Sequence, residues 1–441
     1  MRRTFYFFSI GVIAWACTPE PQDLDVLLEE RLASTSTTNS IAGYLLPDSE
    51  DLSAIPQDPN NPLTAEKVAL GQLLYHETGI AVNPKYASNA GTYSCASCHH
   101  AAGGFQAGKA QGIAEGGMGF GQQGEGRDRN PEFPGDSLDV QPIRSPSVLN
   151  AAYQEVMLWN GQFGATGLNA NTQASWTEGT PKFVNYLGYE GVETQAIAGL
   201  TVHRMGVNED LFNSTEYRNL FDAAFAELPE DQRISMETMG LAIAAYERTV
   251  LANQAPFQQW LRGNHTALSE SQKYGALLFF EKGGCYSCHN GPSLANMEFH
   301  ALGMNDLAEG GTYGPGVDVA TEYGRGGFTG LAEDNYTFKV PQLYGLAYSP
   351  FYGHGGNFTS VREVIEYKNI AVAQHPEVTT GQLSEHFVPL SLTEEEVDQL
   401  TDFVLNGLND THLERYEPTA LPSGNCFPNN DAQSRADLGC N

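Results

Sequence analysis

The chain has 441 residues, with 53 acidic against 23 basic side chains and a net charge of −30. That balance argues against nucleic acid and against adhesion to anionic lipid; it suits a basic redox partner met by electrostatic steering, or an acidic surface kept for solubility. Hydrophobic residues make up 41% of the chain, enough for real cores, so the sequence reads as a globular protein of two or three domains.

At the start, Arg2 and Arg3 precede an apolar run from Phe5 to Ala16 that is too short to span a bilayer as a helix. The run stops at Cys17, after Ile13-Ala14-Trp15-Ala16. A small residue before Cys resembles a bacterial lipoprotein signal with Cys17 as the lipidated first residue, although Trp15 fits that box poorly. Residues 1–17 are therefore expected to be an export signal, and 18–60, rich in Ser, Thr, Pro and Asn, a flexible tether.

An internal repeat follows. Gly71-Gln72-Leu73-Leu74-Tyr75 sits on an apolar helical pattern and precedes Cys95-Ala96-Ser97-Cys98-His99. Gly275-Ala276-Leu277-Leu278-Phe279, on a helix begun by a Ser269/Gln272 capping box, precedes Cys285-Tyr286-Ser287-Cys288-His289. C-x-x-C-H is the attachment signature of c-type haem: two thiols three positions apart add across the porphyrin's two vinyl groups, and the next His ligates iron. A redox dithiol or half a zinc site accounts for a lone C-x-x-C, but neither needs the trailing His, and neither needs it twice. Two covalent haems are expected, one on Cys95, Cys98 and His99 and one on Cys285, Cys288 and His289. Bacteria attach such haem outside the cytoplasm, which supports export.

The intervening chain is loop-rich. Ten glycines and no His lie between Gly103 and Gly126, a mobile or ligand-wrapping segment, and a second Gly-rich stretch runs from Gly303 to Gly330. Neither has the strand-then-helix context of a nucleotide site. Further helices are expected at Met236–Val250, Ser360–Tyr367 (capping box Ser360/Glu363) and Thr393–Leu408 (capping box Thr393/Glu396). Of the seven cysteines, Cys426 and Cys440 remain, and an oxidising compartment makes them a disulfide closing a short polar tail. The expected class is mainly α: two tandem cytochrome c-like haem domains, 61–255 and 256–415, with long Gly-rich loops and a tail at 416–441.

With these motifs in place, the pattern over roughly residues 60 to 410 resembles the bacterial dihaem cytochrome c peroxidase family, which includes the MauG-type enzymes. Ile143-Arg144-Ser145-Pro146-Ser147-Val148-Leu149-Asn150 resembles its R-N-S-P-T-x-x-N segment, and Leu158-Trp159-Asn160-Gly161-Gln162 its F-W-D-G-R. Pro256-Phe257-Gln258-Gln259-Trp260-Leu261 is similar to the inter-domain P-F-D-x-[YW]-L helix. Phe338-Lys339-Val340-Pro341-Gln342-Leu343 and Pro350-Phe351-Tyr352-Gly353-His354-Gly355-Gly356 match F-K-x-P-x-L and P-Y-x-H-x-G. The resemblance implies that the N-terminal haem, with His99 proximal, reacts with peroxide. It implies that the C-terminal haem, with His289 proximal, receives electrons, and that Trp159 relays them between the two.

The chain departs from that pattern in four places. Many relatives carry a His in the loop after the first motif that blocks the iron; here only Met118 and Lys109 remain as candidates, with His100 held on the wrong side, so a five-coordinate haem needing no reductive activation is expected. The family's distal Gln matches Gln195, but its Glu is replaced within Val202-His203-Arg204-Met205-Gly206. His203 then takes peroxide's proton and Arg204 stabilises the leaving oxygen, with Glu193 as the fallback carboxylate. For the sixth ligand of the C-terminal haem, gap-free counting reaches Lys368, with Tyr367 one residue before; Tyr367 is the expected ligand. Arg144 stands where the family has the Asn that supports calcium, a fixed charge that argues against the ion.

The resemblance implies reduction of hydrogen peroxide to water with electrons from a small c-type cytochrome or cupredoxin. The alternatives are a MauG-like oxidation of Trp or Tyr in a partner protein, and a plain dihaem electron-transfer cytochrome. The N-terminal signal and the haem motifs imply a protein in the periplasm, or outer-membrane-anchored through Cys17 and facing it; a homodimer is an open expectation.

Overall fold

The computed structural model describes residues 23–307, 312–313 and 319–440. The export signal and Cys17 lie outside the described residues. The chain is mainly helical, with two short two-stranded ribbons, 117–118 against 128–129 and 299–300 against 338–339.

Each half is built on a crossed pair of helices, and the repeated glycine explains why. Helix Ala65–His76 crosses helix Met236–Thr249, and a Cβ on Gly71 would lie 1.8 Å from the carbonyl oxygen of Ala242. Helix Glu270–Phe280 crosses helix Glu394–Asp402, and a Cβ on Gly275 would lie 2.0 Å from the Gln399 oxygen. Only glycine lets the two backbones meet there. One turn on, the repeat's aromatic residue reaches the haem motif. The Tyr75 hydroxyl donates to the His99 carbonyl at 2.6 Å, and the Phe279 ring lies 6.4 Å from that of His289.

The helix limits follow the capping signals. Ser269/Gln272, Ser360/Glu363 and Thr393/Glu396 all form reciprocal capping boxes. The helix expected to run to Leu408 changes at Asp402 into a wider π-type turn over Phe403–Gly407. Met236 to Thr249 is helical as expected, to within a residue at its end.

The ends of the chain do not behave as tether and loose tail. From Asp23 onward the expected tether is structured. Helix Leu24–Thr35, capped by Asp23, buries Leu28 and Leu32, and Tyr44, Leu46 and Ile55 join the same core. That core belongs to the second haem domain, where Trp260 donates its indole N–H to Asp25 at 2.7 Å. Polar composition concealed a leucine pair at helical spacing. The C-terminal end crosses the other way: Leu413 and Tyr416 enter the first domain's core. Beyond them Ser94 and Ser97 both donate to the Pro428 carbonyl, and Asp437 accepts from the Phe120 amide. Cys426 and Cys440 are disulfide-bonded and hold this strap closed. Among the described residues no helix is long and apolar enough to cross a membrane.

The Gly-rich segment 103–126 is packed down rather than mobile. Most of it is buried, and a Cβ on Gly112 would lie 2.8 Å from the Cys98 sulfur. It wraps the first haem motif.

Candidate functional site

Both C-x-x-C-H motifs form a tight turn in which the cysteines stay free of disulfide. Burial raises every one of the four thiols, Cys98 to about 12 and Cys285 to about 11. A redox dithiol needs the opposite shift. His99 Nδ1 donates to the Pro146 carbonyl at 3.0 Å, and His289 Nδ1 to the Leu294 carbonyl at 3.0 Å. A carbonyl only accepts, so each ring is fixed with Nε2 bearing the lone pair. Burial lowers His99 to about 4 and His289 to about 3, which keeps both imidazoles neutral at pH 7. Thiols and imidazoles in these states fit covalent haem with His99 and His289 as ligands.

Beside His99 lies a polar cluster. His203 ends helix Gly191–Val202, and its Nδ1 donates to Asp139 at 3.0 Å. Burial opposes the charged ring, but the Asp139 charge and hydrogen bond outweigh it, so the His203 pKa is raised; its charge is felt at His99. Arg204, with a left-handed backbone (φ 56°), pairs with Glu115 and donates to the Ser137 carbonyl. Glu115 is fully buried and also accepts from the Lys85 and Tyr86 amides. The Tyr93 hydroxyl is buried beside Glu115, Asp139 and Arg204 with no partner among the described residues. Gln195 sits half-buried on the same helix as His203.

Two expectations need correcting here. Arg204 is not a free guanidinium, because Glu115 already neutralises it. Glu193 is no distal base: it is fully buried and takes two bonds from Arg248, at 2.8 and 2.6 Å. Sequence reading missed Glu115 and Asp139, which reach the cluster from the Gly-rich segment and its continuation; an acidic residue in a loop carries no periodic signal. Two of the blocking candidates are bonded elsewhere, and the third lies on the first ribbon. The Lys109 ammonium pairs with Asp128, Met118 lies on the 117–118 strand, and the Nε2 of His100 donates to Gln123.

Beside His289 the surroundings are mostly apolar, although Asp306, His300, His354 and His375 also line the space. A cavity is lined by Cys285, Cys288, His289, Trp159 and Lys368, with aliphatic side chains around them. Tyr367, the expected sixth ligand, does not line it. Its hydroxyl donates to the Leu302 carbonyl at 2.6 Å, and its ring packs between Phe358 and Phe387. A helix turns about 100° per residue, so Tyr367 and Lys368 cannot share a face. Cys288, Glu298 and His300 converge in a metal-like trio, but Cys288 belongs to the haem motif.

Between the two motifs, Trp159 donates its indole N–H to the Arg144 carbonyl at 2.9 Å, two residues before the Pro146 that holds His99. The Arg144 side chain fills a cradle of oxygens, from Lys109, Gln106, Ala107 and Ser349. A guanidinium thus occupies the donor set a cation would want. Lys339, buried, donates to the Val156 carbonyl at 2.7 Å and braces the Trp159 segment through its own amide.

Comparison with known proteins agrees with this geometry. The family model for di-haem cytochrome c peroxidase matches residues 65–266. The chain is 27% identical to the methylamine utilization protein MauG of Methylorubrum extorquens, over 80% of each chain. It is 27% identical to the cytochrome-c peroxidase IdrP1 of Pseudomonas sp. strain SCT, covering 86% of this chain and 90% of that one. The crystal structure of a MauG-like protein associated with microbial copper homeostasis shares the fold, with a TM-score of 0.56 at 23% identity over 83% of this chain and 95% of that one. Residues 65–266 match the di-haem cytochrome c peroxidase model, the chain is similar to peroxidase and MauG relatives over most of its length, and it carries two covalently bound c-type haems.

Proposed function

We propose that this protein reduces hydrogen peroxide to water at the N-terminal haem, using electrons that enter through the C-terminal haem. The observation that carries the reading is the asymmetry of the two sites. An acid–base cluster stands beside His99, whereas the cavity beside His289 is mostly apolar and its histidines are held by Asp306, Ser384 and Glu298 or exposed. Bound haem supplies the redox-active iron, and each peroxide consumes two electrons and two protons.

The residues then divide the remaining work. Asp139 holds His203 with Nδ1 protonated, leaving Nε2 to take a proton from one peroxide oxygen and return it to the other. Arg204 and Glu115 anchor the wrapping segment and set the local charge, a positioning role in place of a free oxyanion donor. Gln195, on the His203 helix, is suited to orient peroxide. Trp159 lines the His289 cavity and is hydrogen-bonded to the segment that holds His99, which supports a role as electron relay.

The partner is a reduced small redox protein, a c-type cytochrome or a cupredoxin. The net charge of −30 favours a basic one. Covalent haem supports a periplasmic site of action, with lipid attachment at Cys17 as an added anchor. The MauG-like alternative draws on the open N-terminal haem and on a tyrosine ligand, and the bond from Tyr367 to the Leu302 carbonyl removes the second support.

Steady-state turnover tests the reading. Holoprotein with a reduced basic cytochrome should oxidise it in proportion to peroxide consumed, and Trp159→Phe should stop that flow while leaving the first reaction with peroxide intact. Peroxide-driven loss of Trp or Tyr in a secreted partner, with no oxidation of the cytochrome, would favour the alternative.

A further inference from the structure

We propose that the Nζ of Lys368 is the sixth ligand of the C-terminal haem iron, across the ring from His289. The inference rests on haem attachment at Cys285–His289 and is independent of what the N-terminal site does with peroxide.

Helix Val361–Ile370 contributes Val361, Val364, Ile365 and Lys368 to the cavity that holds Cys285, Cys288 and His289. Positions at intervals of three, four and seven share one helical face. Three apolar side chains therefore form a wall, and one amine ends it. Lys368 feels both Cys285 and Cys288, and His289 in turn feels Lys368. Among the described residues no carboxylate or carbonyl pairs with its ammonium, in contrast to buried Lys339, which donates to Val156. Leaving an ammonium unpaired in an apolar cavity is costly. Coordination removes that cost: the proton leaves to solvent and the amine lone pair goes to iron.

Three other donors lining the cavity, all histidines, are hydrogen-bonded already. His354 and His375 share Asp306, each through Nε2, at 3.1 and 3.0 Å. His300 is engaged on both ring nitrogens, with Ser384 and Glu298. Met304 packs in the cluster of Phe358, Tyr367 and Phe387, and His386 is exposed. A nitrogen ligand on both faces keeps this iron closed to peroxide and fit for electron transfer alone.

The test uses ferric holoprotein with two haems per chain, verified by pyridine haemochromogen assay. Low-temperature electron paramagnetic resonance should show one low-spin haem, and Lys368→Ala should abolish that signal and shift the C-terminal potential while the signal of the His99 haem stays. Lys368→Arg keeps length and charge without ligating, so it should lose the same signal with both haems retained. An unchanged low-spin signal and potential in both variants would overturn the assignment. So would loss of that signal in Met304→Leu or His386→Ala.

Discussion

The two halves repeat one frame and differ in what they set beside the histidine. Gly71 and Gly275 make the same helix crossing, Tyr75 and Phe279 reach the same turn, and Pro146 and Leu294 fix His99 and His289 in the same tautomer. The first half then adds His203, Asp139, Glu115 and Arg204, and the second adds an apolar wall ending in Lys368. The frame attaches haem, and the added residues decide the chemistry. In the proposed function, iron with nearby proton-handling groups takes the peroxide and iron behind a mostly apolar wall takes the electrons.

The comparison is most sharply broken by removing the base. His203→Ala should slow the reaction of ferric holoprotein with peroxide by about 10²–10⁴-fold, the range for a lost general base, and leave the C-terminal haem spectrum unchanged. A normal rate would remove His203 from the chemistry. The strap across the first half comes next. Replacing Cys440 by Ala opens a loop with a sequence separation of 14 and should cost about 3 kcal/mol by the chain-entropy relation. Thermal unfolding followed at both haems should show that loss first at the His99 haem, because the strap holds Ser94 and Ser97.

The shared frame gives a symmetric prediction. Gly71→Ala and Gly275→Ala each force a methyl into a carbonyl oxygen and should destabilise by about 1–3 kcal/mol or more, each weakening haem retention in its own half. Equal loss at both haems from either variant would argue against two separate cores. The smallest effect is a displaced pH profile. Asp139 raises His203 above its ordinary pKa, so the base form accumulates only as pH climbs through that raised value, and the peroxide rate rises there. Asp139→Asn removes the raising charge and should move the rising limb to lower pH. Glu115, Arg204 and Tyr93 face the same cluster and remain in both proteins.

Much of the frame was legible in the sequence because it rests on local chemistry. The haem motifs, the capping boxes and the repeated glycine are spacing rules, and the disulfide followed from leftover cysteines. What escaped depends on long-range placement. The polar composition of the 18–60 segment does not reveal that Leu28 and Leu32 dock on Trp260's core, nor does the tail reveal that Leu413 and Tyr416 return to the first domain. Glu115 and Asp139 sit in and after a Gly-rich loop whose path no periodicity fixes. Tyr367 and Lys368 are adjacent in sequence, so counting could not choose between them; only the helix's rotation, set by packing of Val361 and Ile365, did.

The most direct test of the account is stopped-flow spectroscopy of fully ferric holoprotein mixed with one equivalent of hydrogen peroxide. A prompt Soret change without prior reduction is expected, since Lys109 and His100 are bonded elsewhere and the wrapping segment 103–126 carries no His. No reaction until the C-terminal haem is reduced would contradict it, and would mean that the wrapping segment supplies a ligand after all.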